Sequence, residues 1–262
     1  MCAHKNQVST VLDVDDLTIR FGGIVALDQA RLTAREGEIT GLIGPNGAGK
    51  TTLFNCLTGI YRANSGSVSF HATELLGKAP HEVAELGVSR TFQNLALFPR
   101  LAVRDNVAVG LHRVKRTGWV SNALRTPAVV REEREARDRA QAVLDEVGLG
   151  AFGDHPAAGL PFGTLKRIEL ARAIAAEPTL LLLDEPAAAL AHGEVDELMD
   201  LIRHLRDSRQ LSIVLVEHHM GLVMRLCDDV TVLNFGRTIA SGPPAEVADD
   251  QAVIEAYLGA SE

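Results

Sequence analysis

The stretch that decides the fold is "GPNGAGKTT", Gly44–Thr52. Its spacing of glycine, four residues and then Gly-Lys-Thr is the Walker A form. The glycines permit backbone angles that side chains forbid, so successive N–H groups can point inward at phosphate oxygens. Lys50 supplies a point charge for the β and γ phosphates, and the Thr51 hydroxyl can reach Mg²⁺. The stretch predicts a triphosphate site, against the simpler reading of a glycine-rich turn that only caps a helix.

The segments around this loop predict a strand before it and a helix after it. "EITGLIG" precedes the loop, and "TTLFNCLTG" continues from it. From residue 179 onward strands and helices alternate, and runs such as "LLLL" and "IVLV" are uninterrupted and apolar. Such runs are typical of strands that are covered on both faces of a parallel sheet. The pattern predicts a doubly wound α/β fold, with a β-rich opening at 11–43 and 65–70 and a helical insertion at about 100–160.

A second polar pair stands at the end of a buried run. "LLLLDEP" ends with Asp184 and Glu185, at the carboxyl edge where open α/β sheets bind ligands. Asp184 would hold Mg²⁺ directly or through water, and Glu185 would orient the water that attacks the γ-phosphate. The alternative is a carboxylate pair that only caps the exit of a strand.

Composition narrows the classes of function. A chain of 262 residues with 46% hydrophobic content can form one large domain, or a core domain with an inserted subdomain. The net charge of −8 argues against nonspecific nucleic-acid binding, which needs a basic surface. The three cysteines lack metal-ligand spacing and favour a reducing cytoplasm. Because no apolar run is long enough to span a bilayer, we expect any membrane-related role of this chain to be that of a peripheral protein.

The order of the remaining motifs resembles the nucleotide-binding subunit of an ABC transporter. These motifs are "TFQNLALF" with Gln93, "LPFGT" at 160–164, "LLLLDEP", and "LVEHH" with His218. The phrases "LTIRFGGIVALD", "VSRTFQNLALF" and "VIEAYLGA" are similar to the ATPase subunits of branched-chain amino-acid importers. The resemblance runs nearly from end to end.

That resemblance implies a division of the chain. A single ABC ATPase domain over 1–262 would have a RecA-like P-loop NTPase core with a mostly parallel sheet, an N-terminal antiparallel β subdomain and an inserted α-helical subdomain. The core with its β subdomain would occupy 11–92 and 166–262. The helical signature subdomain would occupy 93–165.

The resemblance also implies two ATP molecules sandwiched between two cassettes, each held by the Walker A loop of one chain and the signature segment of the other. The implied ATP contacts are Phe21, which stacks on adenine, with Gly44, Pro45, Asn46, Gly47, Ala48, Gly49, Lys50, Thr51 and Thr52. The implied signature contacts across the dimer are Leu160, Pro161, Phe162, Gly163 and Thr164. The implied catalytic residues are Glu185, His218, Gln93 and Lys50, and the implied metal ligands are Thr51, Gln93 and Asp184. Taken without the family, Phe21 is a candidate core residue.

Several positions depart from the family's pattern, whose signature is usually Leu-Ser-Gly-Gly-Gln where this chain has Leu160, Pro161, Phe162, Gly163 and Thr164. Pro161 lacks both the usual serine hydroxyl and a backbone N–H, so at least one usual hydrogen bond to the γ-phosphate cannot form. Ala189 and Ala191 stand where the family commonly has glycine and an aspartate or asparagine, and His219 stands where many relatives have aspartate. Our hypothesis is that the chain pairs with a different ATPase subunit and that the two composite sites are unequal.

These features predict an ATP-hydrolysing motor subunit, dependent on Mg²⁺, on the cytoplasmic face of the inner membrane. Its partners would be integral membrane permease subunits, a second ABC ATPase subunit in a homodimer or heterodimer, and indirectly an external substrate-binding protein, with no nucleic acid. Phe92, Leu95, Leu97 and Phe98 would contact the permease or fill the helical subdomain's own core. The cargo would be branched-chain amino acids or similar small polar substrates. The alternatives are urea or amide import, envelope lipid export, a soluble ABC protein acting on ribosomes or DNA, or a low-turnover nucleotide-binding regulatory module.

Overall fold

The structure, a computed structural model, describes residues 9–91, 95–111 and 127–258. Its first layer is an antiparallel sheet in the order β2-β1-β4-β5. The strands are β1 (Thr10–Phe21), β2 (Ile24–Arg35), β4 (Ser65–Phe70) and β5 (Thr73–Glu74). The sequence indicated short runs here, but β1 and β2 each extend over 12 residues, because irregularities in their register absorb Asp15 and Asp16 without ending the pairing.

The second layer is a six-stranded sheet in the order β10-β9-β3-β8-β7-β6. Its strands are β3 (Ile39–Ile43), β6 (Val88–Arg90), β7 (Leu180–Asp184), β8 (Ser212–Val216), β9 (Asp229–Asn234) and β10 (Arg237–Gly242). All neighbouring pairs are parallel except β9 with β10. The predicted mostly parallel α/β core is confirmed. The carboxyl ends of β3, β7 and β8 therefore meet at one edge.

Helices pack around these sheets. The described ones are α1 (Lys50–Leu57), α2 (Pro80–Leu86), α3 (Val103–Gly110), α4 (Pro127–Glu146), α5 (Phe162–Ala175), α6 (His192–Arg209), α7 (Met220–Leu226), α8 (Pro244–Ala248) and α9 (Gln251–Leu258), with a 3₁₀ turn at Gly150–Phe152. Among them, no helix has the length and apolar character that crossing a membrane requires.

The six-stranded sheet separates two hydrophobic cores. Leu181 and Leu183 of β7 face a core shared with α3, α4, α5 and α6. Leu180 and Leu182 face the opposite core, which contains α1 and the antiparallel sheet. Because successive side chains of a strand point to opposite faces, a strand between two cores must be apolar at every position. This explains the run of four leucines.

The two sheets also meet at one edge, close to the phosphate loop. Thr238 Oγ1 of β10 donates a hydrogen bond to the Arg31 carbonyl of β2 at 2.7 Å and accepts one from the Arg31 N–H at 2.9 Å. Nearby, the Asp28 N–H donates to the carbonyl of Gly236 at 2.9 Å. The turn between β9 and β10 is thereby fixed beside β2, and both elements then form walls of the site described next.

Candidate nucleotide-binding site

The loop that joins β3 to α1 needs its glycines. Gly44, Gly47 and Gly49 have φ of +149°, +79° and +106°, in the region that L side chains rarely adopt. A Cβ added at Gly44 would lie 2.0 Å from the carbonyl oxygen of Leu233, and one at Gly49 would lie 2.7 Å from that of Ala26. A Cβ at Gly47 would meet nothing within 4 Å. The loop is therefore walled by protein at both ends and open at its middle, as a phosphate cradle must be.

Some of the predicted phosphate and metal contacts lie on the exposed side of the loop, and others are buried. Asn46 and Thr51 are exposed, and Thr52 is half-buried at the start of α1. Ala48 is buried, and its carbonyl accepts a hydrogen bond from the Gly236 N–H at 2.9 Å. The turn between β9 and β10 thus supports the loop from behind while the first turn of α1 faces outward.

Lys50 joins the loop to the acidic pair at the end of β7. Its ammonium is buried and donates hydrogen bonds to the carbonyls of Gly44 at 2.7 Å and Pro45 at 3.0 Å. Burial lowers the pKa of Lys50, and the negative charges of Glu185 and Asp184 oppose that shift. The fold therefore brings the predicted phosphate-binding cation close to the predicted metal ligand Asp184 and the predicted catalytic residue Glu185, although over a hundred residues of sequence separate them.

Asp184 and Glu185 occupy different environments. Asp184 is 2% exposed; its N–H donates to Thr91 Oγ1 at 3.1 Å, and its Oδ2 accepts a hydrogen bond from Arg90 at 2.7 Å. Glu185 has φ of +48°, and its N–H donates to the Val216 carbonyl at 2.9 Å. A left-handed residue other than glycine costs about 1–3 kcal/mol, and such strain concentrates at functional sites. One acid is thus held rigidly, and the other is placed in a strained turn beside it.

His218 lies next to Glu185, at the site that the sequence predicts for it. His218 Nδ1 is 3.9 Å from Glu185 Oε1, and the imidazole is 61% exposed. His219, the departure that follows it, caps α7, because its Nδ1 accepts a hydrogen bond from the Leu222 N–H at 3.1 Å. An aspartate at a helix N-cap makes the same kind of hydrogen bond. The substitution therefore preserves the start of α7.

Glu217 is a residue that the sequence analysis missed. It is 1% exposed, and its carboxylate accepts hydrogen bonds from the N–H groups of Ala187 at 2.9 Å and His218 at 3.1 Å. It therefore ties the segment after Glu185 to the segment that presents His218. A signal was available, since Glu217 follows the buried run "IVLV" as Asp184 follows "LLLL".

The predicted signature segment lies at the start of α5. Pro161 is its exposed N-cap, α5 has no side-chain cap, and Phe162 is 43% exposed. Gly163 lies close to the side chain of Glu194, since a Cβ there would be 2.5 Å from Glu194 Oε1. Leu160 packs against the core, and Thr164 lines a cavity of about 260 Å³. The N-terminal turn of α5 therefore faces outward on a fixed base.

Lys166 connects this helix to the acidic pair. Its side chain is buried, and its Nζ lies over the Phe162 ring at 5.7 Å and 3.4 Å from the Glu185 carbonyl oxygen. The Lys166 ammonium therefore contacts both the start of the signature helix, at Phe162, and the backbone of the predicted catalytic residue Glu185. Lys166 is a second residue that the sequence analysis did not single out.

The loop after β7 shows the physical effect of two departures. Ala189 has φ of +62°, a conformation that favours glycine. Ala191 is the N-cap of α6 and brings no side-chain acceptor, although Glu194 accepts a hydrogen bond from its N–H at 2.9 Å. Ala189 thus adopts a backbone conformation that favours glycine, and Ala191 occupies an N-cap position without a side chain that can cap the helix.

The interpretation of Phe21 as a core residue is wrong. Its ring is 45% exposed and packs edge-to-face against Tyr61, with ring centroids 5.1 Å apart. An exposed aromatic ring that is held by a second ring can serve as a stacking surface for a base. Tyr61 was not identified from the sequence, because its contact with Phe21 depends on the turn after α1.

One predicted region lies in part outside the described residues. Gln93 and Phe92 are among the residues not described. Leu95 and Leu97 are half-buried, and Leu97 packs against the core. Phe98 is 49% exposed, so this segment offers both a packed side and an exposed aromatic ring.

The described side chains offer few metal ligands, as expected for a metal ion that binds together with the phosphates of a nucleotide. Among residues 9–91, 95–111 and 127–258, no group of three or more His, Cys, Asp or Glu side chains could hold a metal ion. Thr51 and Asp184 offer one hydroxyl and one carboxylate. Mg²⁺ is usually bound by one or two such protein ligands together with waters and substrate phosphates. The donor set therefore fits a magnesium nucleotide rather than a cage built from protein alone.

Comparisons with known proteins agree with this geometry. The profile of the ABC transporter family matches residues 27–188, and that of the family described as branched-chain amino acid ATP-binding cassette transporter matches residues 237–262. The chain is 42% identical over 249 residues to the high-affinity branched-chain amino acid transport ATP-binding protein BraF of Pseudomonas aeruginosa, covering 95% of this chain and 98% of the relative. It is 43% identical, with the same coverage, to the high-affinity branched-chain amino acid transport ATP-binding protein LivG of Salmonella typhimurium.

Solved structures give the same result. A nucleotide-free ATP-binding cassette from an ABC transporter superposes with a TM-score of 0.84 at 28% identity, covering 95% of this chain and 99% of that one. An ATP-binding cassette in its ADP conformation superposes with a TM-score of 0.83 at 27% identity, covering 96% and 99%. The family match at 27–188 spans both the loop and the acidic pair, and the chain belongs to the ABC transporter family as one of its ATP-binding subunits.

Proposed function

We propose that this chain binds and hydrolyses ATP with Mg²⁺ to power the import of branched-chain amino acids through a separate permease. The observation that carries the proposal is the meeting of Lys50 with Asp184 and Glu185, with His218 Nδ1 only 3.9 Å from Glu185. The cargo is supported by the names of the relatives, which are branched-chain amino acid transport proteins.

The residues divide the work of binding. The loop 44–52 wraps the phosphates, Lys50 neutralises the β and γ groups, and Phe21 stacks on the adenine. Thr51 and Asp184 would hold Mg²⁺, with Gln93 as the third proposed ligand. When bound, Mg²⁺ neutralises charge on the β and γ phosphates.

Hydrolysis then falls to the end of β7. Glu185 orients a water molecule and polarises it toward the γ-phosphorus. The water oxygen bonds to that phosphorus and gives a proton to the Glu185 carboxylate, while the bond from phosphorus to the bridging oxygen breaks and its electron pair stays on ADP; the products are ADP and inorganic phosphate. His218 hydrogen-bonds the γ-phosphate, and so distinguishes ATP from ADP.

The site is completed by other chains. We infer that the segment 160–164 contacts the γ-phosphate of ATP held by a second cassette, and that Phe98 and its neighbours contact the permease at the cytoplasmic face of the inner membrane. The proposed division keeps the core at 11–92 and 166–262 and the helical subdomain at 93–165. A substrate-binding protein outside the membrane would deliver the amino acid.

The exposed Pro161 favours unequal sites. Since Pro161 has no N–H and no hydroxyl, a site completed by this chain loses at least one hydrogen bond to charged phosphate. We propose a heterodimer in which the site completed by this chain turns over more slowly. If the altered signature slowed hydrolysis much further, the chain would be a nucleotide-binding regulatory module with low turnover, which is the second candidate function.

One experiment separates these functions. The chain is expressed with its neighbouring membrane subunits, purified as a complex and assayed for ATP turnover, with Glu185→Gln as the variant and Glu85→Gln, on the exposed face of α2, as the control. The proposal expects copurification, turnover that Glu185→Gln reduces at least about 100-fold, and normal turnover in the control. Turnover that survives Glu185→Gln would contradict the proposed chemistry, and purification without membrane subunits would contradict the transport role.

A further inference from the structure

We propose that Arg90 is a positioning residue that braces the two proposed protein ligands of magnesium, Thr51 and Asp184, at a fixed separation. This inference rests on the proposed function. It concerns a residue to which neither the motifs nor the comparisons assign a role. Arg90 ends β6, a strand of three residues, and its side chain is 7% exposed.

The guanidinium of Arg90 connects two elements of the site. Its Nη2 donates to Asp184 Oδ2 at 2.7 Å, and its Nη1 donates to Asn55 Oδ1 at 2.7 Å. Its Cζ lies 5.3 Å from the centroid of the Phe54 ring. Arg90 therefore reaches the end of β7 with one nitrogen and α1 with another, while an aromatic ring supports the plane between them.

The contact on α1 lies one turn below the proposed metal ligand. Thr51 and Asn55 are four residues apart on α1, so they share one face of that helix. Fixing Asn55 against Asp184 therefore fixes the distance from Thr51 to Asp184 as well. Because β6 and β7 are parallel neighbours, with Arg90 paired to Leu182, the brace begins from a rigid backbone.

The Asp184 carboxylate is also fixed in orientation. Arg90 engages one of its oxygens, Oδ2, and the Thr91 hydroxyl accepts a hydrogen bond from the Asp184 N–H at 3.1 Å. Two consecutive residues thus hold both the backbone and the side chain of Asp184. Outer partners that orient a metal-binding carboxylate commonly change metal affinity by about 10- to 100-fold when they are removed.

Lysine cannot replace arginine in this arrangement. A lysine at this position would keep a positive charge near Asp184, but one ammonium at the end of a flexible stem lacks the planar fork that reaches both partners. An Arg90→Lys variant therefore keeps the charge and removes the brace. A matched control is Arg209→Lys, which makes the same change in the half-buried ion pair of Arg209 with Glu146, on the helical side of the molecule.

The test measures magnesium rather than turnover. In a Glu185→Gln background, which blocks hydrolysis, the thermal unfolding of the full chain is followed at fixed ATP while Mg²⁺ is varied. The readout is the Mg²⁺ concentration that gives half of the nucleotide-dependent stabilisation. We expect Arg90→Lys to raise it about 10- to 100-fold and Arg209→Lys to leave it unchanged. Asn55→Ala keeps the ion pair and removes the shorter of two contacts with α1, leaving the one from Arg90 Nη1 to Thr58 Oγ1 at 3.5 Å. It should raise the magnesium midpoint in the same direction by a smaller factor.

Each outcome is decisive. If the chain without a change at Arg90 gains no stability from ATP with Mg²⁺, the proposed function fails, whatever Arg90 does. If it responds, and Arg90→Lys lowers the melting temperature without moving the magnesium midpoint, Arg90 is only structural and this inference is overturned. A lower midpoint would overturn it too, because the guanidinium would then compete with the metal for Asp184. If Arg90→Lys does not fold, Asn55→Ala decides alone, and an unchanged midpoint there overturns the inference.

Discussion

The phosphate loop at 44–52 and the signature segment at 160–164 both precede a helix, yet the protein supports them very differently. Gly44 and Gly49 leave no room for a Cβ against the carbonyls of Leu233 and Ala26. The signature segment instead presents an exposed proline and an exposed phenylalanine at a helix start without a side-chain cap.

The difference indicates where each segment finds its complement. The loop is shaped by the chain's own β2 and β9, so its conformation is complete within one molecule. The signature segment has an inner side, where Gly163 approaches Glu194, and an outward side that the described residues of this chain leave exposed. One half of an ATP site is thus built internally, whereas the other depends on a partner. The predictions below test that contrast, from the largest expected effect to the smallest.

The tight end of the loop should tolerate no added carbon. Gly44→Ala forces a backbone shift, since the new Cβ would lie 2.0 Å from the Leu233 oxygen, and we expect ATP affinity to fall at least about 100-fold. Gly77→Ala, in the turn before α2 and outside the loop, is the matched control: with φ of +85° and nothing within 4 Å of an added Cβ, it suffers only the left-handed strain of about 1–2 kcal/mol. Titration with a fluorescent ATP analogue measures both. Equal losses would show that the loop is not walled as described.

Restoring the signature should strengthen only the contact between chains. Pro161→Ser supplies a hydroxyl and an N–H, and a hydrogen bond to a charged group contributes about 1.5–3 kcal/mol, so ATP-driven association should tighten about 10- to 100-fold. Sedimentation of the Glu185→Gln chain mixed with its partner ATPase subunit and ATP measures this association.

Pro243→Ser is the control for that experiment, because Pro243 caps α8 with φ of −54° and ψ of 143°, close to the −55° and 149° of Pro161. We expect Pro243→Ser to leave association unchanged. Weaker or unaltered association in Pro161→Ser would contradict the assignment of 160–164 as a contact across the dimer.

The start of α6 should gain stability from a capping side chain. Ala191→Asn supplies the acceptor that Ala191 lacks, and a good N-cap contributes about 1 kcal/mol to the free energy of unfolding. Urea denaturation measures the gain, with Ala191→Val as a control that adds bulk without an acceptor. If asparagine and valine shift the midpoint alike, the missing cap is not what limits this helix.

The smallest effect should come from the neighbouring loop. Ala189→Gly removes a Cβ from a residue with φ of +62°, and after the added freedom of the unfolded chain is subtracted, we expect a gain of about 0.5 kcal/mol. Ala188→Gly, one residue earlier and outside the left-handed region, should instead lose about 0.5–1 kcal/mol. Urea midpoints of opposite sign bear out the argument, and midpoints of the same sign contradict it.

Much of the fold could be read from the sequence, because its signals are local. The run at 180–183 is apolar at every position since β7 lies between two cores, and the glycines at 44, 47 and 49 are needed by the backbone itself. The sequence also locates Asp184 and Glu185, because the end of a buried strand is visible in one dimension. Gln93, by contrast, remains a prediction.

The residues that were missed act through contacts distant in sequence. Arg90 owes its role to the pairing of β6 with β7, which joins positions more than ninety residues apart. The exposure of Phe21 depends on where the turn with Tyr61 lies. Glu217 could have been found by applying to β8 the rule that found Asp184 after β7. Position along one strand can be predicted from sequence, whereas the order of strands in this sheet could not.

The central claim is that the loop built around Lys50 holds ATP within a single chain. Calorimetric titration of ATP with Mg²⁺ into the purified chain, compared with Lys50→Ala, tests it most directly. The account predicts one ATP bound per chain, and an affinity at least about 100-fold lower in the variant, because Lys50 carries the positive charge of the loop at the β and γ phosphates. Binding of equal affinity and stoichiometry by both proteins would contradict it.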